Sequence, residues 1–252
     1  MSGMQPTNAS AADKCTKLRK FLLDNLDSLE PGGGTGTSPD LPKFDLYAQD
    51  YVAFAESELN AFLLNNGGHR RLINCVAHLK RAADCQLDTF LHVFNLYKVF
   101  RDRNLKFEKK LEFLESAGVF SSRSLKRLNS IRNQMEHDFA VPKVGEIEVY
   151  YDLVVAFVAV LQSVMASPLN SAEQDFGIVD SNGKDVGTFS IEYEFKRPLI
   201  KASWQLPEGK QEMQSSMQDS AGEFAFFFRV WLLLGLLDTF ASTRYIAMQL
   251  AV

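Results

Sequence analysis

Cysteine is scarce in this chain: three residues in 252, Cys15, Cys75 and Cys85. So few thiols, odd in number, make no disulfide framework. The N-terminus is polar and lacks the apolar run of a secretory leader, so a reducing cytoplasm is the expected compartment. A strong charge of either sign is also missing. Net charge −4 and a pI near 5.6 argue against a nonspecific nucleic-acid coat and leave any contact with RNA to a local basic patch.

Apolar runs are short. Residues 224–237 are broken by Arg229 and followed by Asp238, and residues 153–161 sit behind Asp152. Neither reaches the ~20 apolar residues of a membrane span, and an arginine in mid-span is costly in lipid. Both are expected as buried helices, with no membrane partner. Residues 31–39, Pro-Gly-Gly-Gly-Thr-Gly-Thr-Ser-Pro, lack the Gly-Lys-Ser/Thr ending and the preceding strand of a phosphate cradle, and read as a flexible linker. Gly-x-Ser-x-Gly and His-Glu-x-x-His are both absent. His69, His78 and His92 have no metal-ligand spacing, and Cys75 with His78 on one helix face supplies two ligands, too few to close a zinc site. No metal and no cofactor is therefore expected.

What is present is helical periodicity. Apolar residues recur at spacings of three and four over 11–29, 45–64, 70–100, 107–117, 123–138 and 146–166. The 70–100 region is long enough to be one helix or two with a break near Ala82. Gly118 stands in the position that favours a helix stop, and Ser121 and Ser122 offer N-caps for the helix that follows. The 146–166 helix is apolar on most of its surface, as in a bundle centre or an oligomer interface. After Pro168 the pattern changes. Residues 176–179, 186–195 and 199–204 read as strands, with Asn182-Gly183 as a hairpin turn. A polar stretch over 208–222 and an apolar C-terminal helix complete the chain. The expected fold is mainly α: a helical bundle with a small antiparallel β-meander and a C-terminal apolar helix. Its expected parts are an N-terminal helix and linker over 1–41, the bundle over 42–167, and the meander with the last helix over 168–252.

Residues 131–139, Ile-Arg-Asn-Gln-Met-Glu-His-Asp-Phe, carry the one pattern that suggests chemistry. Arginine, amide and imidazole together suit a phosphodiester: the guanidinium stabilises charge and the ring transfers a proton. On a helix, Lys126, Ser130, Asn133 and His137 share one face, while Leu125, Leu128, Ile131 and Met135 form the core stripe. Asn133 and His137 are neighbours at i and i+4, whereas Arg132 and His137 lie about 140° apart. Convergence on one phosphate thus requires the helix to end at His137, or a second copy related by a twofold axis. A helix end also favours a cation there, which suits His137 as the general acid for a leaving 5′ oxygen. Basic residues concentrate in the central third, and Arg123, Lys126 and Arg127, with Ser130, are the expected RNA contacts.

The segment Leu125-Lys-Arg-Leu-Asn-Ser-Ile-Arg-Asn-Gln-Met-Glu-His-Asp-Phe-Ala-Val-Pro142 resembles the signature of the HEPN superfamily, an arginine followed by a polar residue and, shortly after, a histidine near the end of a bundle helix. Arg132, Asn133 and His137 match it, and the resemblance covers about residues 42–167. It implies a dimerising helical bundle with a composite site and metal-independent RNA cleavage that leaves a 2′,3′-cyclic phosphate. It also implies a toxin-like or phage-defence role, with RNA, a second copy and an antitoxin protein as partners. The tyrosine that some antitoxins modify two residues after the histidine is Phe139 here. Other members of the family are non-catalytic modules that bind RNA, nucleotide or a protein partner, and that is the alternative expectation.

Overall fold

The structure, a computed structural model, describes residues 41–250 except 66, 67, 122, 139, 140, 142, 171, 180–183, 208, 238 and 239. The expected N-terminal helix over 11–29, Cys15, the Gly-rich linker and turn residues 181–183 lie outside the described residues.

Three helix stops of one kind punctuate the first half of the molecule. Helix α1 (Ala48–Asn65) starts where Asp50 accepts a bond from the Tyr47 N–H at 2.7 Å, half of a capping box. Helix α2 (His69–Val93) runs unbroken, because Leu72, Cys75, Val76, Leu79, Ala82, Ala83, Leu87, Phe90 and Leu91 keep helical spacing and are all buried. The suggested break near Ala82 is therefore corrected. The chain turns at Asn95 instead, which takes φ +52°, while the Leu96 N–H reaches Leu91 O and the Asn95 N–H reaches His92 O. This is a Schellman closure, and asparagine tolerates the left-handed geometry that it needs. Helix α3 (Tyr97–Asp102) ends in the same way at Asn104, and α4 (Phe107–Ser116) at Gly118 with φ +69°. Gly118 is thus where its sequence position puts it.

Helix α5 (Arg123–His137) packs against α2 and against α6 (Val144–Asn170). Ile147, Tyr150, Val154, Phe157, Val158 and Leu161 form the buried face of α6, and Val149, Val155 and Val160 point outward. The stretch Val144–Ala166 is long and apolar enough to cross a membrane by length and composition, which corrects the expectation that the apolar run is too short. The short count had stopped at Asp152, but the apolar pattern continues on its N-terminal side.

Strands β1 (Glu173–Val179), β2 (Asp185–Glu194), β3 (Leu199–Leu206) and β4 (Gly209–Ser216) form an antiparallel meander in chain order. Strand β4 lies within the polar stretch 208–222, to which the sequence reading assigns no strand. It is an edge strand, exposed over most of its length, and its Lys210 and Glu212 discourage further pairing. Helix α7 (Ala221–Leu234) begins with Ser220, whose Oγ accepts from the Glu223 N–H at 3.3 Å. A short helix α8 (Thr243–Leu250), absent from the sequence reading, ends the described chain.

The described residues belong to one compact unit, and a single core runs through helices and sheet. Ile191, Tyr193, Ile200 and Ala202 project from paired positions of β2 and β3 onto Phe224, Phe228 and Trp231 of α7. Phe94 sits 4.9 Å from Phe228 and 5.5 Å from Tyr193, ring to ring. Polar bonds fix the join: Tyr193 Oη donates to Phe94 O at 2.6 Å, and Trp231 Nε1 donates to Ala172 O at 3.0 Å. Asn95 Nδ2 donates to Phe195 O and Lys196 O, both at 3.1 Å. The mainly-α architecture with a small antiparallel meander therefore stands.

Candidate functional site

Leu125 is fully buried and anchors α5, with Ile131 half-buried one face-length further on. That sets the opposite face toward water. Arg123, Lys126, Arg127, Ser130, Asn133 and His137 are all exposed. His137 is the last helical residue, and the Asp138 N–H closes the final turn onto Gln134 O at 2.9 Å. The helix thus ends at the point where the motif needs an end. Asn133 and His137 occupy adjacent turns of the exposed face, as their spacing required. Arg132 lies in the same helix; its side chain is outside the described residues, as are Phe139 and the N-cap position 122.

The basic groups of this face are held only loosely. Lys126 Nζ sits 3.0 Å from Glu115 Oε2 at the end of α4, and Arg127 Nη2 sits 3.5 Å from Glu146 Oε1 on α6. Hydrogen bonds from Lys126 and then from Ser121 hold the Glu115 carboxyl below its ordinary range. Ser121 therefore donates to a carboxylate, at 3.0 Å. Ser130 Oγ donates back to Lys126 O at 3.3 Å. Exposed ion pairs of this kind contribute about 0–1 kcal/mol, so a phosphate can replace the carboxylates at small cost.

Much of the remaining basic charge of the central third is committed elsewhere. Lys80 is buried against Asp84 at 2.6 Å and lies 3.8 Å above the Phe107 ring. Lys110 pairs with Asp88, Arg71 with Glu58 and Lys109 with Glu112. Arg70, Arg81, Arg101, Arg103 and Lys106 are exposed on other elements, so α5 carries one basic face among several exposed cations. Among the described residues, no group of three His, Cys, Asp or Glu side chains could hold a metal ion. His78 packs on Phe54 and Tyr51, and burial lowers its imidazole pKa.

A second polar centre escaped the sequence reading, which takes the 224–237 helix as packed core or a dimer contact. Arg229 donates to Ser116 O at 3.0 Å, Gln249 O at 3.3 Å and Glu115 O at 3.4 Å. It lines a cavity of about 460 Å³ between the end of α4, α6, α7 and α8. The available signal was a lone arginine inside an apolar run, since a cation in such surroundings needs partners. No family model, no curated protein and no solved structure matches this chain.

Proposed function

We propose that this chain is a metal-independent endoribonuclease of the HEPN type, with a HEPN-like bundle, that acts as a homodimer. The observation that carries the reading is the Arg132-Asn133 and His137 set on a helix that stops at His137, beside an exposed basic and hydroxyl face. RNA lies along α5, its phosphates met by Arg123, Lys126, Arg127 and Ser130. The 2′-hydroxyl attacks the adjacent phosphorus, and the bond to the 5′ oxygen breaks. A cationic His137 protonates that leaving oxygen, while His137 of the partner subunit, neutral, takes the 2′ proton. Arg132 stabilises the charge that develops on the phosphoryl oxygens, and the Asn133 amide donates to one of them. The products are a 2′,3′-cyclic phosphate and a 5′-hydroxyl.

A second reading, RNA binding without cleavage, draws on the helical arithmetic that sets Arg132 and His137 about 140° apart on one protomer. Incubation with mixed RNAs in the presence of a chelator separates the two. The wild type is expected to leave cyclic-phosphate ends, and His137→Ala to slow cleavage by roughly 10²–10⁴-fold. RNA that is bound yet intact with a folded, dimeric wild type would overturn the catalytic reading in favour of the second.

A further inference from the structure

We propose that the cavity beside Arg229 binds a single-chain amphiphile with a carboxylate head, of the fatty-acid class. The proposal is independent of the reading of α5. Three observations converge. The cavity, about 460 Å³, falls in the size range of small-molecule sites, and its walls are mostly apolar, with Val119, Val164, Leu232 and Leu236 among them. One fixed cation faces it. Arg229 is oriented by three backbone carbonyls, which use three of its five N–H donors and leave one on each terminal nitrogen. Carbonyls orient a guanidinium without neutralising it, and among the described residues no carboxylate pairs with it. The mouth carries Phe240, 84% exposed, and Tyr245, 48% exposed, two aromatic side chains that the core does not use.

The site is also built with little slack. Gly118 has φ +69°, and a Cβ there would stand 3.1 Å from Arg229 Cγ, so glycine lets the arginine stem lie across the end of α4. A purely structural Arg229, clipping α4 to α8, explains the three carbonyl bonds. It does not explain an apolar cavity with a cation in its wall that meets no carboxylate among the described residues. A carboxylate takes the two remaining donors as a charge-assisted pair, and the alkyl chain fills the space toward Leu236 and Phe240.

The test is calorimetric titration of the full chain with decanoate, decanol and acetate, each below the concentration at which decanoate forms micelles. Saturable one-to-one binding of decanoate is expected, about tenfold or more tighter than decanol, with no measurable binding of acetate. Arg229→Gln is expected to erase the preference for decanoate over decanol. Because that variant also weakens the α4–α8 clip, Leu236→Trp serves as the second: it fills the cavity and leaves Arg229 in place, and decanoate binding and its thermal stabilisation should both disappear. Equal affinity for decanoate and decanol, or undiminished binding by a folded Leu236→Trp, would overturn the proposal. So would association with anionic phosphatidylglycerol vesicles without decanoate binding.

Discussion

Tyr193 is where the sheet is joined to the helices, and Tyr193→Phe tests that join with one atom. The side chain is 1% exposed, and its hydroxyl donates to Phe94 O at 2.6 Å. Phe94 is the C-cap of α2, so its carbonyl has no helical partner of its own. Removing the hydroxyl forfeits one hydrogen bond and strands a buried carbonyl, a loss of about 1–3 kcal/mol. For a chain of this size that lowers Tm by roughly 2–4 °C per kcal/mol, so a fall of about 2–12 °C is expected. Tyr193→Ala also loses ring contacts with Phe195, Phe228 and Trp231 at 4.7 to 5.7 Å, and should cost about 3–5 kcal/mol. Burial raises the phenol pKa well above its ordinary value. A group raised in the folded state stabilises fully below its unfolded value, so wild type loses part of its lead over Tyr193→Phe as pH climbs past 10. Far-ultraviolet circular dichroism follows the helices, and tryptophan fluorescence follows Trp204 and Trp231. A Tyr193→Phe midpoint within about 1 °C of wild type, or fluorescence unfolding well before the helices, would refute the shared-core argument.

Three further outcomes follow from local geometry. At Gly187 an added Cβ would lie 2.2 Å from Gln205 O, whereas at Gly177 in the neighbouring strand it would meet nothing within 4 Å. Thermal melts should therefore show Gly187→Ala destabilised by about 1–3 kcal/mol and Gly177→Ala unchanged or slightly stabilised. Asn95→Gly keeps the positive φ but loses the bonds to Phe195 O and Lys196 O, and Asn95→Ala adds left-handed strain; urea midpoints should fall in the order wild type, Gly, Ala, with about 1–2 kcal/mol between the variants. Burial, with a smaller push from Glu58, raises the Cys75 thiol from 9.0 to about 12. Its contribution to stability is complete below pH 9.0 and is lost as pH rises toward 12, so wild type should lose about 2 kcal/mol between pH 9 and 10.5 that Cys75→Ala does not lose.

The helices were legible because burial writes a period of three and four into the chain, as it does from Leu72 to Leu91 in α2. The sequence leaves the 70–100 region open between one helix and two parted near Ala82; Ala82 and Ala83 fit the core spacing, while the residue that turns the chain is Asn95, one polar position among many. Strand β4 left only Met213 as an apolar trace: Lys210, Gln211, Glu212 and Gln214 pair through their backbone with β3 at the sheet edge, and side-chain pattern does not report that. Asn133 and His137 were legible as neighbours, since one helix fixes both. The Arg229 cavity was not, because it needs Gly118, Ser163 and Gln249, which only the tertiary fold brings together.

The aromatic junction also sets a timetable for synthesis. Phe90 and Phe94 are made early, Tyr193 about a hundred residues later, and Phe224, Phe228 and Trp231 later still. Domains form as units once their contacts exist, so the first helices leave the ribosome with Phe90 and Phe94 only partly covered: Tyr193 reaches Phe94 with the sheet, and Phe228 meets both only when α7 has followed. A message cut short before residue 221 yields a chain without Phe224, Phe228 and Trp231, so the face of Phe94 and Tyr193 that they cover stays open, and such a product is material for chaperones and proteases.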